Sequence, residues 1–538
     1  VQRGPSRIGT ILTDRQPFGP VDTEGMLDAE HPELDQLFDR SNLIYAQTRA
    51  DITPSYIIGR KGAGKTAFLL GASEAHRQEQ LRTSTIYSEL VATLRRYTDR
   101  RAPLYTEQVA EIWHALFDHI AIAHGCRTAS AADRPNELQT MWDYVDQPGA
   151  AIPGAMNIAE GFLSDLQRRV DDTSIFGLRE VIDGMARGGV AFADARKAMR
   201  AVLEARPEPV TVVMDNLEDL HTRLDELRLV LAGLFHFVGQ SAEVHRARRP
   251  FGLRICLPSE LFSTVHELSS NPEKDFRGNY LTIYWTAREL LALAGARLRL
   301  FLTWHHPDEL AVLLRRAPAA AESDVALLRA TLPATVRGGL GVDEDPVAYL
   351  LRHTQLLPRH LIGILNRVYT ERDSPPWDVS PKSILRGTRH AERIVVEGIL
   401  AAHRESYPLA QTALSKLSDR LGVRFAARDL HRTFNREGIR KQTGLEFGEF
   451  LAMLLEMGVL GLRVDTTGRY NQAEFRYTFD STLNAEEDTD ELCLHPLFTR
   501  YLHERTLPRL RAAGALPTYP YGCDLDGDYR RTLGYTGI

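Results

Sequence analysis

The segment Gly59-Arg60-Lys61-Gly62-Ala63-Gly64-Lys65-Thr66 constrains the fold more than any other feature, because it satisfies G-x-x-x-x-G-K-[ST] at every fixed position. Upstream, Pro54 ends any helix and the apolar run Ser55-Tyr56-Ile57-Ile58 predicts a buried strand; downstream, residues 66–75 have helical composition. Strand, glycine-rich loop, helix is the order in which such a loop holds phosphate. Gly59, Gly62 and Gly64 let the main chain curl until its N–H groups converge on a β-phosphate, and the helix start adds partial positive charge. Lys65 is placed to reach the β- and γ-phosphates, and the Thr66 hydroxyl suits Mg²⁺. The pattern predicts ATP and Mg²⁺ as cofactors.

A loop of this kind needs a second magnesium contact. Val210-Thr211-Val212-Val213-Met214 is a β-branched, apolar strand that delivers Asp215 at its carboxyl end. Asn216 follows, where a water-activating Glu is usual, so Glu218 or Asp219 is left for that role; both equally suit the cap of a helix starting near His221. Further strands are predicted at residues 84–88, 253–257 and 280–284, with some 115 largely helical residues inserted before Arg206. Short strands separated by helices predict an α/β fold, a parallel-sheet P-loop NTPase core with ligands at the strands' carboxyl ends.

At 538 residues the chain is too long for one ordinary core, and 43% hydrophobic with 25% charged residues is a globular composition. The expected organisation is an N-terminal arm (1–30), the core (31–286, with a helical insertion over 89–206), a helical lid (287–375), a winged-helix-like domain (376–505) and a tail (506–538). The C-terminal expectation rests on several helices followed by two alternating runs, 461–465 and 473–479, around Thr467-Gly468. The tail is rich in Gly, Pro and Tyr and is expected to pack on a partner or stay mobile. No run is apolar enough to span a bilayer and no secretory leader is visible, so a cytoplasmic protein without membrane contact is expected. The four scattered cysteines fit a reducing compartment.

Taken in order, these elements resemble the AAA+ and STAND ATPases, particularly bacterial proteins built like origin-recognition ATPases, over roughly residues 30–500. The resemblance implies a polar sensor after the next strand, with Ser259 the nearest match. It also implies a basic residue before the fifth strand that reaches a neighbouring subunit's nucleotide, a position held by Lys274 and Arg277, which read equally as a solvated turn. In Leu357-Pro358-Arg359-His360, Arg359 matches the lid arginine that leans on the γ-phosphate.

A net charge of −6 gives no global reason to bind nucleic acid. Locally, Lys416, Arg420, Arg424, Arg428, Arg432, Arg436 and Arg440 recur at every fourth position. Gly422 and Gly438 interrupt the run, and Asp419, Asp429 and Glu437 offer ion-pair partners, so a phosphate-tracking face competes with a solvated one. Arg469 and Arg476 fall where a wing would enter a minor groove. The leading expectation is an ATP-driven molecular switch engaging a protein partner, a separate effector subunit, further copies of itself or double-stranded DNA; the family suggests antiviral defence or mobile-element biology. The alternatives are a scaffold that holds nucleotide without turnover, and a DNA-binding regulator.

Overall fold

The computed structural model describes residues 10–21, 37, 56–71, 78–100, 105–128, 135–145, 154–172, 178–205, 210–215, 224–244, 251–261, 280–371, 378–404, 406–464, 470–476, 491–521 and 523. The chain divides into two compact units, one of residues 43–59 and 68–282, the other of residues 1–42, 60–67 and 283–538.

The first unit is α/β. Its strands are β1 (Tyr56–Gly59), β2 (Gln78–Arg82), the pair β3 (Ala186–Arg187) and β4 (Val190–Ala191), β5 (Val210–Asp215), β6 (Phe251–Pro258) and β7 (Tyr280–Thr282). Five of them form one parallel sheet in the order β2-β5-β6-β1-β7. Tyr56, Ile57 and Ile58 are fully buried, as a central strand flanked on both edges must be. The connection from β1 leads to the far edge, whereas that from β6 passes over β1 to β7. The order therefore reverses at β1, which makes its carboxyl end the topological switch point of the sheet.

The described residues of the insertion are mainly helical, apart from the pair β3 and β4. The helix Thr106–Thr128 is buried on nearly all sides, and Trp113 donates from Nε1 to the Val230 carbonyl at 3.0 Å on the helix Leu224–Val244. The two helices approach so closely that a Cβ on Gly233 would fall 2.5 Å from Val109. One expectation fails here: residues 84–88 are not a strand. They lie in the helix Thr83–Arg100, where Ile86, Leu90, Leu94 and Tyr97 are buried at helical spacing, and the strand is the preceding β2.

The second unit begins with a helical layer that includes the helices Ala287–His305, Pro346–Arg352, Pro358–Thr370 and Pro381–Ala402. Thr286 and Glu289 form a capping box at the first of these. Residues 10–21 pack into the same core: Leu12 and Phe18 are fully buried, and Asn366 accepts from the Phe18 amide at 3.0 Å and donates to the Gly19 carbonyl at 2.8 Å. Arg297, buried, donates to the Phe18 carbonyl at 2.9 Å. Trp304, on the helix Ala287–His305, is 46% exposed.

After the hairpin β8 (Val336–Arg337) and β9 (Asp343–Glu344), the C-terminal part carries β10 (Arg424–Ala426), β11 (Leu460–Val464), β12 (Asn471–Glu474), β13 (Glu491–Leu494) and β14 (Thr518–Pro520). The two runs expected to pair do so as β11 and β12, antiparallel, but within a five-stranded sheet, β10-β13-β11-β12-β14, antiparallel except where β14 runs parallel to β12. The expected tail thus supplies a strand to this unit. Tyr519 is buried and its hydroxyl bonds Glu344. No helix among the described residues is long and apolar enough to cross a membrane.

Candidate phosphate-binding site

Beyond Gly59 the chain turns sharply. The Ala63 amide donates to the Arg60 carbonyl at 3.0 Å, and Gly62 and Gly64 take φ of 91° and 89°, a region that side-chain-bearing residues rarely enter. Gly62 is required for a second reason: a Cβ there would lie 2.9 Å from the Arg359 Cβ, and the Arg359 amide donates to the Gly62 carbonyl at 3.4 Å. Trp285 closes the other side, donating from Nε1 to the Ala63 carbonyl at 2.8 Å. Lys65 opens the helix Lys65–Gly71, is buried, and donates from Nζ to the Arg60 carbonyl at 3.3 Å. Thr66 is half-buried one residue on. Arg359 lies in the first turn of the helix Pro358–Thr370, and its Nε is buried without a hydrogen-bond partner among the described residues. The second unit therefore brings Gly62, Gly64, Lys65 and Arg359 together, although 294 residues separate Lys65 from Arg359 in sequence.

The first unit aligns a different set. Gly59 ends β1 opposite Pro258, Ser259 follows β6 directly, and Asp215 ends β5 one residue beyond Met214, which pairs with Ile255. All three share the carboxyl edge of the parallel sheet. Ser259 donates from Oγ to Glu260 Oε2 at 3.4 Å. Glu260, buried beside the switch-point strand, was not singled out by sequence; its place directly after Ser259 was the available signal.

Glu218, Asp219, Lys274, Arg277 and Arg469 lie outside the described residues. Arg476 is half-buried and its main-chain carbonyl accepts from Arg60 Nη1 at 3.4 Å, a contact that no spacing in the sequence suggests. The basic run divides among several elements. Arg428, Arg432 and Arg436 share the exposed face of the helix Ala427–Arg436, whereas Arg424 lies on β10. Arg432 pairs with Asp429 at 3.4 Å, Arg436 with Glu437 at 3.1 Å, Arg420 with Glu437 at 3.2 Å, Arg424 with Glu491 at 4.0 Å, and Arg440 with Glu446.

Groups of three or more His, Cys, Asp or Glu able to hold a metal do not occur among the described residues. The buried histidines are fastened into the fold. His119 meets the Ala115 carbonyl and the Tyr144 hydroxyl, and burial lowers its pKa to about 4. No protein-family model matches the chain, and no curated protein matches it.

Proposed function

We propose that this chain is a P-loop ATPase that binds Mg-ATP at residues 59–66 and uses its nucleotide state as a molecular switch. The observation that carries the reading is the loop itself, at the carboxyl end of the switch-point strand, with two left-handed glycines and Arg359 seated on Gly62. The residues present fit the group. Left-handed glycines let such a turn converge main-chain N–H groups on an anion, and the buried Nε of Arg359 is a donor without a hydrogen-bond partner among the described residues.

Mg²⁺, when bound, would supply positive charge that offsets the charge on the phosphates. Lys65 neutralises the terminal phosphates, and its burial makes that charge more effective than it would be in water. Thr66 supplies a hydroxyl to the metal and Asp215 a carboxylate. Arg359 positions positive charge where it develops during phosphoryl transfer. Glu218 and Glu260 are the carboxylates to test for orienting water.

The lid and C-terminal sheet would act as the responding part, which fits a winged-helix-like reader of a protein partner or effector. Local neutralisation of the basic run supports double-stranded DNA less than it supports protein. Steady-state hydrolysis together with fluorescent-nucleotide binding tests the proposal. Lys65→Ala is expected to weaken binding at least tenfold, and Asp215→Ala to abolish Mg-dependent turnover. Unchanged affinity in Lys65→Ala removes the site assignment. Tight binding without turnover favours the nucleotide-holding scaffold, in keeping with Asn216 beside Asp215.

A further inference from the structure

Arg60 occupies a variable position of the loop, yet its side chain is buried and directed at the C-terminal sheet. Its Nη1 donates to the carbonyl of Arg476, just beyond β12, while its own carbonyl accepts from Lys65 Nζ. One residue is thus bonded both to the phosphate-binding lysine and to the chain just after a strand, 416 positions later.

A second connection runs parallel to it. The turn Thr354-Gln355-Leu356 leads into the helix that carries Arg359. Gln355, buried, donates from Nε2 to the Met457 carbonyl at 2.9 Å, and its amide donates to His360 Nδ1 at 3.3 Å. His495, at the start of the helix Pro496–His503, hydrogen-bonds the Thr354 main chain, and its Nδ1 accepts from the Leu497 amide at 3.2 Å. Between these grips Leu356 is held at φ 51°, a left-handed conformation that is unfavourable for a non-glycine residue and persists only where the surroundings impose it. Gly458 makes the fit possible, since a Cβ there would lie 2.7 Å from Gln355 Nε2 and 3.7 Å from Arg60 Nη1.

We propose that the C-terminal sheet reads the occupancy of the phosphate loop through Arg60 and the turn at Gln355, the two contacts forming one coupling device. This rests on the Mg-ATP reading above and adds its regulation. A phosphate group that draws Lys65 and Arg359 onto itself acts on the Arg60 carbonyl and on the turn before Arg359. Both are fastened to residues 457–458 and 476. By linkage, whatever partner displaces the C-terminal sheet changes nucleotide affinity by the same factor.

The test is hydrogen exchange of the full chain, with and without saturating Mg-ADP or a slowly hydrolysed Mg-ATP analogue, alongside independent measurement of nucleotide affinity. Nucleotide is expected to change exchange roughly fivefold or more in peptides covering 457–462 and 471–476, as well as in the loop. Arg60→Ala removes the response at 471–476, and Gln355→Ala that at 457–462, while Gln355→Ala still protects the loop. Loop protection in the wild type with no change in either C-terminal segment overturns the coupling and leaves the ATP site standing. If the wild type binds no nucleotide, the phosphate-loop reading itself fails and the coupling falls with it. Should Arg60→Ala fail to fold, the wild-type and Gln355→Ala profiles decide alone.

Discussion

Two arginine-rich regions of this molecule follow opposite rules. Arg60 is buried and Arg359 half-buried against a tight loop, the first bonded to a distant carbonyl and the second with a buried Nε that has no hydrogen-bond partner among the described residues. Arg420, Arg424, Arg432, Arg436 and Arg440, though far more conspicuous in sequence, each sit beside a carboxylate on the surface. Regular spacing of exposed charge reports which face a helix turns outward. A guanidinium held out of solvent needs a reason, because desolvation must be offset by specific bonds or by a ligand.

The comparison can be broken at the loop first. Gly62→Ala combines an unfavourable φ with a Cβ 2.9 Å from Arg359, so nucleotide affinity should fall by about two orders of magnitude, with a stability loss of about 1–3 kcal/mol. A titration within a few-fold of wild type would show that the loop opens freely. Next, Arg359→Ala should lower turnover about 10²–10³-fold with a smaller change in affinity, and Arg359→Lys should not restore it. Equal losses in affinity and turnover would reduce Arg359 to a packing residue.

A smaller effect concerns pH. Glu392 is buried and meets His353 Nε2 at 3.2 Å and Arg500 Nε at 3.3 Å; burial raises its pKa to about 7, opposed by Arg500, Arg352 and Arg389. The unfolded carboxyl releases its proton near 4.5, so between the two values the folded state holds more protons. Stability is therefore greatest below pH 4.5 for this group and falls as pH rises toward 7, by roughly 1–3 kcal/mol. His353, whose pKa burial pushes well below its ordinary value, contributes in the opposite sense: below about pH 6.5 the unfolded imidazole is protonated and the folded one is not, so its contribution grows as pH rises. The part due to Glu392 is read as the difference between wild type and a Glu392 variant. Melting of wild type and Glu392→Gln from pH 5 to 8 should show the variant with the shallower decline; parallel curves would assign the dependence elsewhere. Smallest of all, replacing Arg424, Arg428 and Arg432 together should cost under about 1 kcal/mol, as exposed pairs do. Steeply salt-dependent DNA binding lost in that variant would place the surface run among functional arginines after all.

What could be read from sequence follows apolar composition. β1, β5, β6 and β7 announce themselves as apolar runs, and the loop by its fixed glycines. β2, Gln78-Glu79-Gln80-Leu81-Arg82, does not, since a sheet edge tolerates polar residues and the neighbouring Ser84-Thr85-Ile86-Tyr87-Ser88 has more strand-like composition. β14 was hidden for the related reason that a proline ends it and only one neighbour pairs with it. Arg359 was found through its resemblance to a lid arginine; that it lies on Gly62 required the fold. Arg60 could not be found at all, because its partner is a main-chain carbonyl, which leaves no trace in composition or spacing.

The anchoring of Phe18 and Gly19 by Asn366 and Arg297 bears on how the chain is made. At ribosomal rates of about 5–20 residues per second, the early segment emerges on the order of 20–70 seconds before Asn366 does. Throughout that interval Leu12 and Phe18 have no finished core to enter, while the intervening residues of the parallel-sheet unit are already available to fold. An amino-terminal fusion or a slow codon tract near position 300 should therefore affect the yield of folded protein more than either would at the carboxyl end.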